Sequence, residues 1–156
     1  MSVVLGAHLQ VRDGRYVAGF AWVDGRAVRM EPSLSAPAEL DRGLSELYQR
    51  ALELTRKHPA KLALLKNEAI HTPKYLRTAA RAEGVVIAAA QVMQVLVEEW
   101  AGASLLKPAG LSRAPGVTTR MAVEALVAAS GLKPVDDAQA LAVAVVVAQG
   151  KKDGTF

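Results

Sequence analysis

The sequence has 156 residues, enough for one domain with a sizeable core, and 51% of them are hydrophobic. It contains no cysteine, which excludes a disulfide framework and a thiolate metal site. Lysine and arginine number 19 against 15 aspartates and glutamates, and the resulting net charge of +4 permits a polyanionic partner without requiring one.

The start, MSVVLGAHLQV, lacks the charged n-region of a signal peptide, and residues 2–9 read as a strand. Asp13-Gly14 marks a turn, residues 16–23 (YVAGFAWV) a second strand, Asp24-Gly25 another tight turn, and residues 26–30 a third strand. Three strands joined by short turns make an antiparallel meander. Residues 31–37, rich in Pro and Ser, read as a loop. From 41 to 57, Leu44, Leu47, Tyr48, Ala51, Leu52 and Leu54 recur at helical spacing, and His58-Pro59 ends the helix. KLALLK (61–66) is a short apolar strand with a lysine at each end.

After a loop at 67–73, residues 74–90 form a second helix whose small residues, Ala79, Ala80, Ala82, Gly84 and Ala88, permit close packing. Residues 94–99 make a further strand, 102–109 a short helix, and 115–129 a third long helix closed by Ser130-Gly131. Gly131 and Pro134 then punctuate the chain ahead of a last helix, apolar almost without a break from Ala138 to Gln149 and so buried on most of its circumference. Asp136 and Asp137 stand at its mouth. Either would cap the helix by accepting backbone N–H groups, and an acidic pair at an exposed first turn could also present carboxylates to a site. No stretch spans a bilayer. Residues 1–150 are expected to form one cytoplasmic domain without a membrane partner, and 151–156 a flexible tail.

The element order predicts an α/β protein of RNase H-like fold, a mixed five-stranded sheet flanked by helices. Residue by residue, the chain resembles the RuvC family of Holliday-junction resolvases. VVLGAH is similar to the family's opening strand, ILGID, and GFAWVDG to its second, GYGVI. LALLKNEAIHTPKYLRTAARAEGVVIAAA resembles the family's fourth strand, loop and helix, AIEQVF followed by a helix ending GVAIVAA. DDAQALAVAVV resembles the terminal DAADALAIAI.

The resemblance implies strand order 3-2-1-4-5, a homodimer packed through helix 74–90, and DNA, possibly branched, as partner. It also implies a site where carboxylates hold two divalent metals that activate water and stabilise the leaving oxygen. The four ligand positions fall on His8, Lys66, Asp136 and Gln139, of which only Asp136 is a carboxylate. Mg²⁺ is a hard ion that gains most from anionic oxygens, so this set predicts no metal cofactor and a catalytically degenerate protein that binds branched or duplex DNA without cutting it. Lys66 paired with Asp136 would replace the cation.

The alternatives are an active Mg²⁺- or Mn²⁺-dependent junction endonuclease with a site rebuilt from Glu68, Asp136 and Asp137, and a structural or interaction module that kept only the fold. Lys74, Arg77 and Arg81 recur at helical spacing beside Tyr75, either as a solvated face or as a phosphate-contacting stripe with a stacking aromatic. Lys107, Arg113 and Arg120 fall where the family's later basic loop contacts DNA. The family's wedging aromatic falls on Ala69. His58 and His71 share no metal-ligand spacing with His8.

Overall fold

The structure is a computed structural model that describes residues 4–58, 61–68 and 71–155. Its elements, in chain order, are β1 (Val4–Arg12), β2 (Arg15–Asp24), β3 (Ala27–Met30), β4 (Leu34–Pro37), α1 (Leu40–Lys57), β5 (Lys61–Leu65), α2 (Pro73–Val92), β6 (Leu96–Trp100), a 3₁₀ turn (Gly102–Leu105), α3 (Thr119–Ser130) and α4 (Asp137–Lys152). The sheet has six strands, in the order β3-β2-β1-β5-β6 with β4 also on β2. β1, β2 and β3 are antiparallel, and β5 and β6 run parallel to β1.

The expected strand order holds, but the count of five becomes six, because part of the expected loop 31–37 is a strand. β3 pairs with Ala21–Asp24 and β4 with Arg15–Ala18, so the two lie end to end along one edge of β2. Pro37 is tolerated there because an edge strand leaves one side of its backbone unpaired.

Side chains alternate across β1. Leu5, Ala7 and Leu9 join the core under α1 and α2, and Val4 joins the core under α3 and α4. Gly6 faces α4, where a Cβ would come within 2.7 Å of the Ala142 carbonyl oxygen and 2.8 Å of Val146 Cβ. A Cβ on Gly19 would overlap the Ala138 carbonyl. These two glycines let α4 lie directly on the sheet. Every residue of α4 from Ala142 to Ala148 is buried. That burial outweighs the weak helix propensity of its β-branched valines.

Helix starts follow cap chemistry. Thr72 Oγ1 accepts from Tyr75 N at 3.2 Å ahead of Pro73, and Thr118 Oγ1 accepts from Met121 N at 3.2 Å. The Thr118 cap starts α3 at 119 rather than at the expected 115. Gly131, at φ 74°, closes the helix in the left-handed conformation. The expected helix at 102–109 is a 3₁₀ turn that ends at Leu105.

The last helix passes the expected boundary at 150 and runs to Lys152. Buried Gln149 accepts from Trp100 Nε1 at 2.8 Å and donates to Asp153 at 3.1 Å. Lys61 reaches the same carboxylate at 3.1 Å, and Lys152 pairs with Glu98. Lys152 and Asp153 are thereby tied to β5 and β6. No helix among the described residues is long and apolar enough to cross a membrane.

Candidate functional site

A cleft of about 800 Å³ opens at the C-terminal ends of the parallel strands β1 and β5. In open α/β sheets that end is where ligands bind. The strand ends supply His8, Gln10, Lys66, Asn67 and Glu68 to its lining, α3 supplies Arg120, Val123 and Val127, and the start of α4 supplies Asp137 and Leu141.

His8 lies on β1 opposite Gly19, beside the first turn of α4, and is only 4% exposed. Its Nδ1 is 2.8 Å from the Leu65 carbonyl oxygen. A carbonyl only accepts, so Nδ1 carries a proton and the neutral ring keeps its lone pair on Nε2. Burial pushes the His8 pKa below its usual 6.5, against the opposing pull of the Leu65 hydrogen bond and of Asp137. Among the described residues the hydrogen bond of this ring is the one at Nδ1.

A depressed histidine gives a pH signature. As pH falls below 6.5 the unfolded chain takes up the His8 proton before the folded one does, so folding stability drops on that side. His58, also depressed by burial, acts in the same direction. Glu83 is raised above 4.5 by burial, so its contribution is fully present below 4.5 and is lost as pH rises through the raised value. Urea unfolding should show lower stability at pH 5.5 than at 7.5, and His8→Gln, which cannot charge, should shrink that difference. An unchanged difference would mean that His8 takes up its proton equally in both states.

Of the four positions implied by the resemblance, His8 and Lys66 line the cleft, whereas Asp136 and Gln139 do not. Asp136 is the N-cap of α4. Its Oδ1 accepts from Gln139 N at 2.8 Å and from the Ser33 hydroxyl at 2.9 Å. Gln139 is buried and turned toward the β3–β4 connection, donating to the Glu31 carbonyl at 2.6 Å and accepting from Val135 N at 2.9 Å. The residues of α4 that face the cleft are Asp137, Ala140 and Leu141, one position further along. Lys66 does not pair with Asp136 but lies 3.8 Å from Glu99. Of the alternative set, Glu68 and Asp137 line the cleft and Asp136 does not. Asp137 accepts from Gln10 Nε2 at 2.9 Å.

These residues do not fit a pair of divalent metals. The first position offers one imidazole nitrogen and the second an ammonium group, while the remaining carboxylate is spent on a helix cap. Among the described residues no group of three His, Cys, Asp or Glu side chains is placed to hold a metal.

Lys74, Arg77 and Arg81 are exposed along one face of α2. Tyr75 is not free to stack on a base. Its hydroxyl donates to Asn67 Oδ1 at 3.2 Å and accepts from Val11 N at 3.3 Å, and its ring stacks on His71 at 4.2 Å. Lys107 and Arg113 are exposed but outside the cleft lining, and Arg120 sits at its rim, 3.3 Å from Glu124. Ala69 lies outside the described residues.

Sequence reasoning missed the Asn67–Glu83 pair. Asn67 donates from both its backbone N and its Nδ2 to Glu83 Oε2 at 3.1 Å, and from Nδ2 to the Leu9 carbonyl at 2.7 Å. The signal was present: Glu83 shares a helix face with Ala79, Ala82, Val86 and Ala90, and a carboxylate on a buried face needs a partner.

No family model and no curated protein matches the chain. Solved structures do. The Thermus thermophilus RuvC structure aligns with a TM-score of 0.74 and 18% identity over 98% of this chain and 97% of that one. T. thermophilus RuvC in complex with Holliday junction substrate aligns with a TM-score of 0.72 and 15% identity over 99% and 98%. Across nearly its whole length the chain has the fold of the RuvC resolvases.

Proposed function

We propose that this protein binds branched or duplex DNA through its basic surface and does not cut it. The observation that carries this reading is the make-up of the cleft. The fold is one that T. thermophilus RuvC presents to a Holliday junction, yet His8 and Lys66 stand at two of the implied metal positions and the side chains of Asp136 and Gln139 are committed elsewhere. A net charge of +4 and the exposed Lys74, Arg77 and Arg81 supply the electrostatic attraction to phosphate. Mobility shifts on four-way junctions and on duplex, run with Mg²⁺ and with Mn²⁺, test both halves. Retarded, intact DNA supports the reading. Absence of any shift at low salt favours a protein-interaction module instead.

The reading includes a two-fold dimer at α2. Gly84 and Ala88 are exposed on that helix, and Val92 at its end is 60% exposed, a surface that lets two backbones approach closely. Light scattering at tens of micromolar should give about twice the chain mass of 16.5 kDa. A mass of one chain would count against it.

A further inference from the structure

Resting on that reading, we infer that the cleft receives an unpaired nucleobase, read along an edge that donates hydrogen bonds, with guanine the best fit. The cavity, about 800 Å³, is within the range of small-molecule sites and has room for a base. Leu65, Val123, Val127, Pro134 and Leu141 give it apolar walls suited to the faces of a ring.

The amides lining the cleft already donate within the protein, Gln10 to Asp137 and Asn67 to Glu83 and the Leu9 carbonyl, and three further groups of the lining offer lone pairs. His8 Nε2 presents a lone pair from a ring that is 4% exposed. Asp137 and Glu68 line the same cleft, close enough that their charges act on His8. Glu68 is pressed against the backbone at Gly102, where a Cβ would collide with its carboxylate. The two cations of the lining, Lys66 and Arg120, are exposed, each near a solvent-facing carboxylate, Glu99 at 3.8 Å and Glu124 at 3.3 Å. A phosphodiester beside Asp137 and Glu68 would meet two carboxylates. A base edge carrying N–H groups would meet acceptors, while its flanking phosphates stay at the rim beside Lys66 and Arg120.

Guanine carries N1–H and the N2 amino group side by side, the pattern that one carboxylate accepts from two donors, and leaves a further amino hydrogen for His8 Nε2. Thymine carries a single N–H between two carbonyl oxygens, which the carboxylates would repel. Extruding a base costs least where it has no partner, so a bulged nucleotide is the suitable probe.

The test is fluorescence anisotropy with the full chain and duplexes carrying one bulged guanine, adenine, cytosine or thymine, beside a fully paired duplex. The guanine bulge should bind about tenfold or more tightly than the thymine bulge. His8→Gln should weaken that preference and Asp137→Asn abolish it. Asp137 is exposed in the first helical turn, so its variant probes the site even where His8→Gln disturbs the core. Equal binding of the four bulges, with paired duplex also bound, overturns the inference and leaves the proposed function standing, as a cleft filled by water alone would. Failure to bind any of the DNAs overturns the proposed function and this inference with it.

Discussion

Gly19→Ala is expected to destabilise the protein by about 3 kcal/mol or more, at the upper end of what overpacking costs. The added Cβ would overlap the carbonyl of Ala138 and approach Gln139 N to 2.8 Å. Both are helix backbone, which cannot rotate aside as a flexible side chain can. Either the first turn of α4 lifts or β2 sinks, and both movements disturb the contact between two layers already packed to interior density. Gly14→Ala is the contrast. Gly14 has a φ of 70° and nothing within 4 Å of its would-be Cβ, so its cost is backbone strain alone, about 1 kcal/mol. Urea midpoints of the two variants separate the effects. A Gly19→Ala protein within a few tenths of a kcal/mol of the original would mean that α4 does not sit on β2 this closely.

The same packing bears on the cleft. Gly19 is the cross-strand partner of His8, and Asp137 belongs to the turn that rests on Gly19. The start of α4 is held from outside as well: Gln139 bonds to the Glu31 carbonyl, Asp136 to Ser33, and the Glu31 carboxylate pairs with Arg50 of α1. Loop 31–33 thus ties α1, on the opposite face of the sheet, to the first turn of α4. A Gly19 variant that still folds should therefore lose DNA-base discrimination before it loses general DNA binding.

Helices and central strands were legible in the sequence because their apolar spacing is periodic and their ends carry Pro, Gly or Thr. β4 was not. Its residues LSAP carry the Pro and Ser of a turn, and only the exposed edge of β2 makes them a strand. The direction of α4 was hidden for a different reason. A helix apolar on all sides carries no stripe to say which face meets the sheet, and the resemblance of QALA to the family's DALA points to 136 and 139. Two adjacent aspartates then left open which one caps. The hydrogen bond from Gln139 N to Asp136 decides it, and a step of one residue, about 100° around a helix, carries the cleft face from 136 and 139 to 137 and 140. The bonds of Tyr75 with Val11 and of Asn67 with Leu9 were illegible because they run between elements far apart in sequence.

That step of one residue leads to the sharpest expected difference in activity. The unmodified protein should bind a four-way junction and leave it intact in Mg²⁺ or Mn²⁺, because two-metal hydrolysis depends on charge neutralisation that an imidazole and an ammonium cannot supply. Binding should weaken steeply with salt, and removing Lys74, Arg77 and Arg81 together should lower the log–log salt slope by about 2–3, close to one for each phosphate no longer neutralised. Restoring carboxylates discriminates between the two registers. His8→Asp, Lys66→Glu and Ala140→Asp would join Asp137 in the cleft and should create Mn²⁺ binding measurable by calorimetry. The same set with Gln139→Asp in place of Ala140→Asp should not, since that carboxylate would be aimed at the Glu31 carbonyl oxygen and would leave Val135 as its only donor. It should also unfold at lower urea, as a buried anion against a carbonyl loses more than a hydrogen bond. Metal binding should return before cleavage, because ligation needs only the donors, whereas hydrolysis also needs the scissile phosphate placed between two ions. Junction cutting by the unmodified protein, abolished by Asp137→Asn, would overturn this and show that Glu68, Asp137 and His8 Nε2 already form a working metal site.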